Sequence, residues 1–140
     1  MNNKTTVINE QSIKRDWHLI DAKGEIIGRL SSKIARLLLG KNKAIFSPSF
    51  DLGDHVVVIN AEKISATGKK ETDKIYYRHS GYPGGLKSET LGELRLRKPE
   101  DIIWKAVYGM LPKNRLRDQR MKKLHIYKGD THPHTAQITK

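Results

Sequence analysis

Between Lys113 and Lys123 the chain sets Lys113, Arg115, Arg117, Arg120, Lys122 and Lys123 against a single carboxylate, Asp118. Cations at this density neutralise phosphates and release condensed counterions, so they suit a polyanionic ligand and not a bond-breaking centre. A second concentration runs through Lys69, Lys70 and Lys74 into Tyr76, Tyr77, Arg78 and His79, then across Ser80-Gly81-Tyr82-Pro83-Gly84-Gly85 to Lys87. There flat side chains interleave with cations, and glycines let a backbone approach closely. That combination fits stacking on unpaired bases while the charges track a sugar-phosphate chain. Strand side chains alternate, so one of Tyr76 and Tyr77 faces inward; the pattern leaves open which.

Other chemistries find less support. Gly68-Lys69-Lys70 followed by Thr72 lacks the first glycine at the required spacing and the Gly-Lys-Ser/Thr ending of a phosphate-binding loop. His132-Pro133-His134 could supply two metal ligands, with His125 or Asp130 as a third, but no HExxH motif accompanies it, and a polar tail is the plainer reading. No nucleophile elbow, dinucleotide fingerprint or concentrated carboxylate pair stands out. The absence of cysteine excludes disulfides and thiolate metal sites. The expectation is a non-enzyme without a cofactor or a small-molecule substrate.

These residues need elements to hold them. Trp17-His18-Leu19-Ile20 reads as a strand, and Ile26 to Leu39 as a helix with Ile27, Leu30, Ile34, Leu37 and Leu38 on one face and Gly40 as its left-handed cap. Its other face, Arg29, Ser32, Lys33 and Arg36, reads as solvated; Lys41 and Lys43 follow just past its end and join the candidate ligand-binding cations. Val56-Val57-Val58-Ile59 is a continuous β-branched run, expected at the centre of a sheet and covered on both faces. Strand, helix, buried strand predicts a βαβ crossover and a three-layer α/β domain. Thr72 to His79 reads as extended and Ser80 to Gly85 as loop. Thr90 and Glu93 have capping-box spacing for a short helix towards Lys98. Pro99 suits the first position of the next helix, with Ile102, Ile103, Ala106, Val107 and Met110 as its stripe and Pro112 as its stop. Trp104 and Tyr108 fall together on another face of that helix and are read as packing. Asn114 is expected to cap a helix reaching about Lys123, with Leu116, Met121 and Leu124 inward, before a last strand Leu124 to Tyr127.

The chain has 140 residues, enough for one domain, with 1–16 read as an N-terminal extension and 130–140 as an irregular tail. Its 27 Lys and Arg against 15 Asp and Glu give +12, of which residues 69–140 carry +9 through 17 basic and eight acidic residues. Such an asymmetry points to a folding framework in the first half and a contact surface in the second. No apolar run approaches the roughly 20 residues that cross a bilayer, and residues 1–16 show no secretory h-region, so neither membrane insertion nor secretion is expected.

Several motifs together resemble the large-subunit ribosomal protein L-thirteen family. They are Asp16-Trp17, Ile20-Asp21-Ala22, Gly28-Arg29-Leu30, Gly53-Asp54, Val58-Ile59-Asn60-Ala61, Thr67-Gly68, Asp73-Lys74 leading into Tyr76-Tyr77, His79-Ser80-Gly81, Gly84-Gly85-Leu86-Lys87 and Gly109-Met110-Leu111-Pro112-Lys113. Leu116, Lys123-Leu124, Tyr127 and Gly129 complete a collinear set over nearly the whole chain. The resemblance implies an α/β/α fold with a four-stranded, mostly parallel sheet. It also implies large-subunit rRNA and neighbouring ribosomal proteins as partners, and a role early in subunit assembly. It places Lys69, Lys74, Tyr77, Arg78, His79, Lys87, Lys113 and Lys123 on the RNA side. The chain departs from the family at Tyr108, where a basic residue is common, and at Asn114, Arg115 and Arg117, which replace the usual surroundings of Leu116.

Two alternatives share the charge: a metal-assisted nuclease built on His132 and His134, and a DNA-binding protein, since phosphate contacts do not reveal the sugar. The expected location is the ribosome of a bacterial cytoplasm, with an organellar ribosome also compatible.

Overall fold

A computed structural model describes residue 8 and residues 13–138. The N-terminal extension expected over 1–16 therefore lies mostly outside the described residues. Strand β1 (Trp17–Asp21) leads through a turn to helix α1 (Ile27–Leu39), and the chain returns as β2 (His55–Ile59), parallel to β1. Gly40 closes α1 in the left-handed region (φ 73°), its N–H reaching back to the Arg36 and Leu37 carbonyls, as the sequence predicts. After a single 3-10 turn (Ala61–Lys63) and the four-residue helix α2 (Lys70–Asp73), the strands β3 (Ile75–His79) and β4 (Leu86–Thr90) pair antiparallel. Helices α3 (Leu91–Arg97), α4 (Glu100–Met110) and α5 (Leu116–Met121) follow, then β5 (Leu124–Ile126) and α6 (Thr135–Ile138).

The four-stranded sheet is corrected. Among the described residues the parallel sheet has three strands in the order β1-β2-β5, and β3-β4 stands apart as a hairpin. β2 is central, and Val56, Val57 and Val58 are fully buried, as the unbroken β-branched run predicts. The layering also differs from expectation. Ile20, Val56, Val58 and Leu124 share one face with Leu30, Ile34 and Leu38 of α1, Leu91 and Leu94 of α3, and Ile102, Ile103 and Val107 of α4. Burying such side chains contributes about 1.5–3 kcal/mol each, which makes this face the main source of stability.

The opposite face has a thinner cover. The Trp17 and His55 rings stack at 4.3 Å, His125 continues the row 5.6 Å from Trp17, and His134 packs on both Trp17 and His125. The Tyr127 hydroxyl lies 2.8 Å from His134 Nε2. The segment read as an irregular polar tail is thus docked through His134 and contains the short helix α6.

Smaller readings divide. The Thr90–Glu93 capping box forms, with Thr90 Oγ1 accepting from the Glu93 N–H and the Glu93 carboxylate from the Thr90 N–H. Pro99 stands at the start of α4 in helical conformation (φ −63°, ψ −26°), its carbonyl accepting from the Ile102 N–H. The expected Asn114 cap is absent: Arg115 precedes α5 without a side-chain cap, and Asn114 engages through its backbone. Leu86–Thr90, unassigned from sequence, becomes β4.

Burial disfavours protonation of His55 and His125, holding both below the ordinary histidine value of 6.5; the positive charge of Lys123 adds to the effect at His55 and His134 to that at His125. A depressed histidine pKa means that the unfolded chain takes up protons first as pH falls. The stack therefore contributes fully above about pH 6.5 and weakens below it. The thermal midpoint should be level between pH 8 and 7 and decline from 6.5 to 5, less steeply in His125→Gln; a flat profile down to pH 5 would contradict the assignment.

Candidate nucleic-acid interface

The cations singled out in the sequence divide into an inward and an outward set. At the loop joining α1 to β2, a Cβ on Gly53 would stand 1.8 Å from the Leu38 carbonyl oxygen, so only glycine lets the chain lie this close to α1. That close approach buries Asp54 and half-buries Asp51, and both carboxylates require partners. Asp54 accepts from the Lys43 ammonium and the Asp16 N–H and lies 3.1 Å from His18 Nε2. Burial pushes the Asp54 carboxyl up, but these bonds outweigh it and leave it below the ordinary value. Lys43 also donates to the carbonyls of Lys14 and Leu52.

Asp51 accepts from Lys123 Nζ at 2.6 Å, and Lys123 donates again to the Gly53 carbonyl. Arg120 Nε stands 3.8 Å from the same carboxylate, and its Nη2 donates to the Phe50 carbonyl. Arg120 and Lys123 are 1% and 6% exposed. Of the cations read as ligand-binding, these two turn inward and hold the 51–54 loop. Arg120 lies four residues after Leu116, on the buried stripe of α5, a spacing that the count of positive charges obscures. Lys43 is likewise committed to Asp54.

The outward set forms two regions. Lys113, Arg115 and Lys122 are exposed around α5. Arg117 lies over the Tyr108 ring at 4.0 Å, and Tyr108 stacks on Trp104 at 4.9 Å. The expected packing of Trp104 with Tyr108 is present, completed by an arginine that sequence did not connect to it. Two departures from the family pattern, Tyr108 and Arg117, touch each other. Lys41 is exposed at the far end of α1.

The second region is the hairpin. Tyr76 turns inward against the core and Tyr77 is 65% exposed, resolving the alternation. Ile75, Tyr77, His79 and Leu86 occupy the outer face, and Tyr76, Arg78, Lys87 and Glu89 the face towards α3 and α4. The loop bends at Gly81 (φ 86°) and Gly84 (φ 70°), and the Gly81 N–H donates to His79 Nδ1, which leaves Nε2 as the outward proton-bearing nitrogen. Lys69, Lys70 and Lys74 are exposed beside it, Lys70 donating to Thr67 Oγ1. Two cations that sequence reasoning missed belong here. Lys105 sits 4.7 Å over the Tyr76 ring, and Arg97 makes paired hydrogen bonds to Glu89. Arg97 is on the helix that directly follows the hairpin, eight residues after Glu89, and Lys105 is on the next helix; the folded chain turns both back onto it.

Among the described residues no group of three or more His, Asp or Glu side chains is placed to hold a metal, and no helix is long and apolar enough to cross a membrane. The surface about the hairpin and α5 is one of separated cations with exposed rings. Residues 15–133 match the family model described as Ribosomal protein L13. The chain belongs to that family. It is 56% identical over 137 residues to the large ribosomal subunit protein uL13 of Pelobacter propionicus, covering 98% of this chain and 96% of that one. The protein of the same name from Symbiobacterium thermophilum is 53% identical over 135 residues, covering 96% and 94%. That from Staphylococcus aureus strain JH9 is 54% identical over 134, covering 96% and 92%. Family membership makes the chain a ribosomal protein and not an enzyme.

Removing Lys123 strands Asp51 beside an imperfectly placed Arg120. Lys123→Met should cost about 3 kcal/mol in urea unfolding, as expected for breaking a buried pair, whereas Lys113→Met should stay within about 0.5 kcal/mol. Equal effects would contradict the division of the cations.

Proposed function

We propose that the chain is a structural constituent of the large ribosomal subunit that binds large-subunit rRNA as a single domain and supports early subunit assembly. The observation that carries this reading is the clustering of the outward cations. Lys69, Lys70, Lys74, Arg78 and Lys87 lie with Tyr77 and His79 about one hairpin, and Lys113, Arg115 and Lys122 around α5. The relatives, all named as large-subunit proteins, match over nearly their whole length and support the same assignment.

Capture is electrostatic: each lysine or arginine that meets a phosphate releases counterions, which gives affinity and its salt dependence. Docking then selects shape, because the hairpin offers exposed rings and a bent glycine loop to unpaired nucleotides. Two regions on one rigid body hold separated RNA segments in a fixed arrangement. Neighbouring ribosomal proteins complete the environment, and the location is the ribosome of a bacterial cytoplasm.

Cosedimentation with large subunits and crosslink mapping to rRNA test the partner; duplex DNA competing as well as rRNA would overturn it. Changing Lys113, Arg115 and Lys122 together to Gln should flatten the log–log salt dependence of rRNA binding by about 0.7–0.9 per contact, roughly 2 in all, without lowering the thermal midpoint. An unchanged slope would remove this region from the interface.

A further inference from the structure

Beside the hairpin, between the N-terminal end of α1 and the C-terminal end of α4, a slot of about 320 Å³ opens. Its walls are mainly aliphatic, including Ile27, Leu91, Ala106 and Met110. Gly28 and Gly109 line it from the two helices, and at each a Cβ would meet nothing within 4 Å. Both helices thus present bare backbone to open space. The charged residues at the slot are Lys70, Lys74 and Lys105, and no carboxylate lines it. An apolar interior with a wholly cationic rim fits a group that is flat and uncharged at one end and anionic at the other. A volume near the lower end of the usual small-ligand range, about 300–1,000 Å³, holds one such group.

Lys105 also lines a second groove, of about 340 Å³, between the hairpin and α3–α4. The Tyr76 ring marks the junction, with Lys74 Nζ 5.3 Å and Lys105 Nζ 4.7 Å from its centroid. In that groove Glu89 is engaged by Arg97, and Asp101 pairs with Lys98. Arg78, Lys87 and Lys105 remain without an ion pair among the described residues. A chain of phosphates leaving the slot at Lys105 therefore meets spare cations along the groove.

We infer that the slot receives one unstacked nucleotide of the bound RNA, its base against the aliphatic walls and its flanking phosphates on Lys70, Lys74 and Lys105, with the adjoining strand running past Arg78 and Lys87. This rests on the reading of the chain as an rRNA binder. Unpaired bases splayed from loops and bulges are the usual targets of RNA-specific recognition. Aliphatic walls offer such a base shape and desolvation and few hydrogen bonds, so the slot selects an extruded base with little regard to its identity.

The test fills the slot and leaves the cations in place. Purified Gly109→Leu and Gly28→Leu, each checked for an unchanged thermal midpoint, are bound to large-subunit rRNA and compared with the unmodified chain by affinity, salt slope and base-specific chemical probing. The expected result is about tenfold weaker binding with the same salt slope, and renewed reactivity at one discrete nucleotide that the unmodified chain protects. Variants that fold, bind as tightly and leave every base protection intact would overturn the slot while the rRNA reading stood. The same holds if they bind rRNA normally but fail to enter large subunits, because the occupant would then be a protein side chain. Failure of the unmodified chain to bind rRNA in a salt-dependent way would instead defeat the underlying reading.

Discussion

The structure depends on the loop 51–54 lying flat against the end of α1. Gly53 permits the approach, and the close packing buries a carboxylate and carbonyls that water can no longer satisfy. Lys43, Arg120 and Lys123 supply the missing donors from three parts of the chain, tying the segment after α1, helix α5 and the start of β5 to one point. Such pairs add little over well-packed apolar groups, yet losing one partner is costly, so they fix geometry more than they add net stability. With that point fixed, β2 enters the sheet between β1 and β5, and α5 holds its exposed cations at a set place.

A protein of net charge +12 thus uses its positive residues in two ways. Those with buried or half-buried carboxylate partners, Lys43, Arg120 and Lys123, are part of the fold. Of those without, one group lies about the hairpin and another around α5, where like charges repel one another, and others, such as Arg29, Lys33, Arg36 and Lys41, lie along and just past α1. The hairpin hangs from the body by Tyr76, by the Arg97–Glu89 pair and by Arg95, which joins Glu71 to the carbonyls of Glu62 and Ile64. These ties engage the face of the hairpin towards α3 and α4 and its base, and Ile75, Tyr77 and Leu86 on the outer face stay exposed.

Much of this was legible in the residues. Helical spacing gave α1 with its Gly40 cap, the valine run gave the central strand, and Thr90 with Glu93 gave the start of α3. The sheet count was not legible, because β3 and β4 pair across a glycine loop and nothing local says whether an extended segment joins the parallel sheet or folds on its neighbour. The inward turn of Tyr76 depends on Lys105 and α4, far away in sequence. Arg120 and Lys123 read as surface because a run of positive charge conceals their partner Asp51, some 70 residues earlier. His134 read as tail for the same reason: its partners Trp17 and His125 come together only in the fold.

The central claim is that the outward cations, and not the inward ones, meet RNA. Amine-reactive footprinting of the free chain and of intact large subunits, read lysine by lysine in a mass spectrometer, tests it most directly. The account predicts that Lys87, Lys113 and Lys122 label readily in the free chain and are protected in the subunit, with Lys123 unreactive in both. Equal labelling of Lys87, Lys113 and Lys122 in the two states would contradict it.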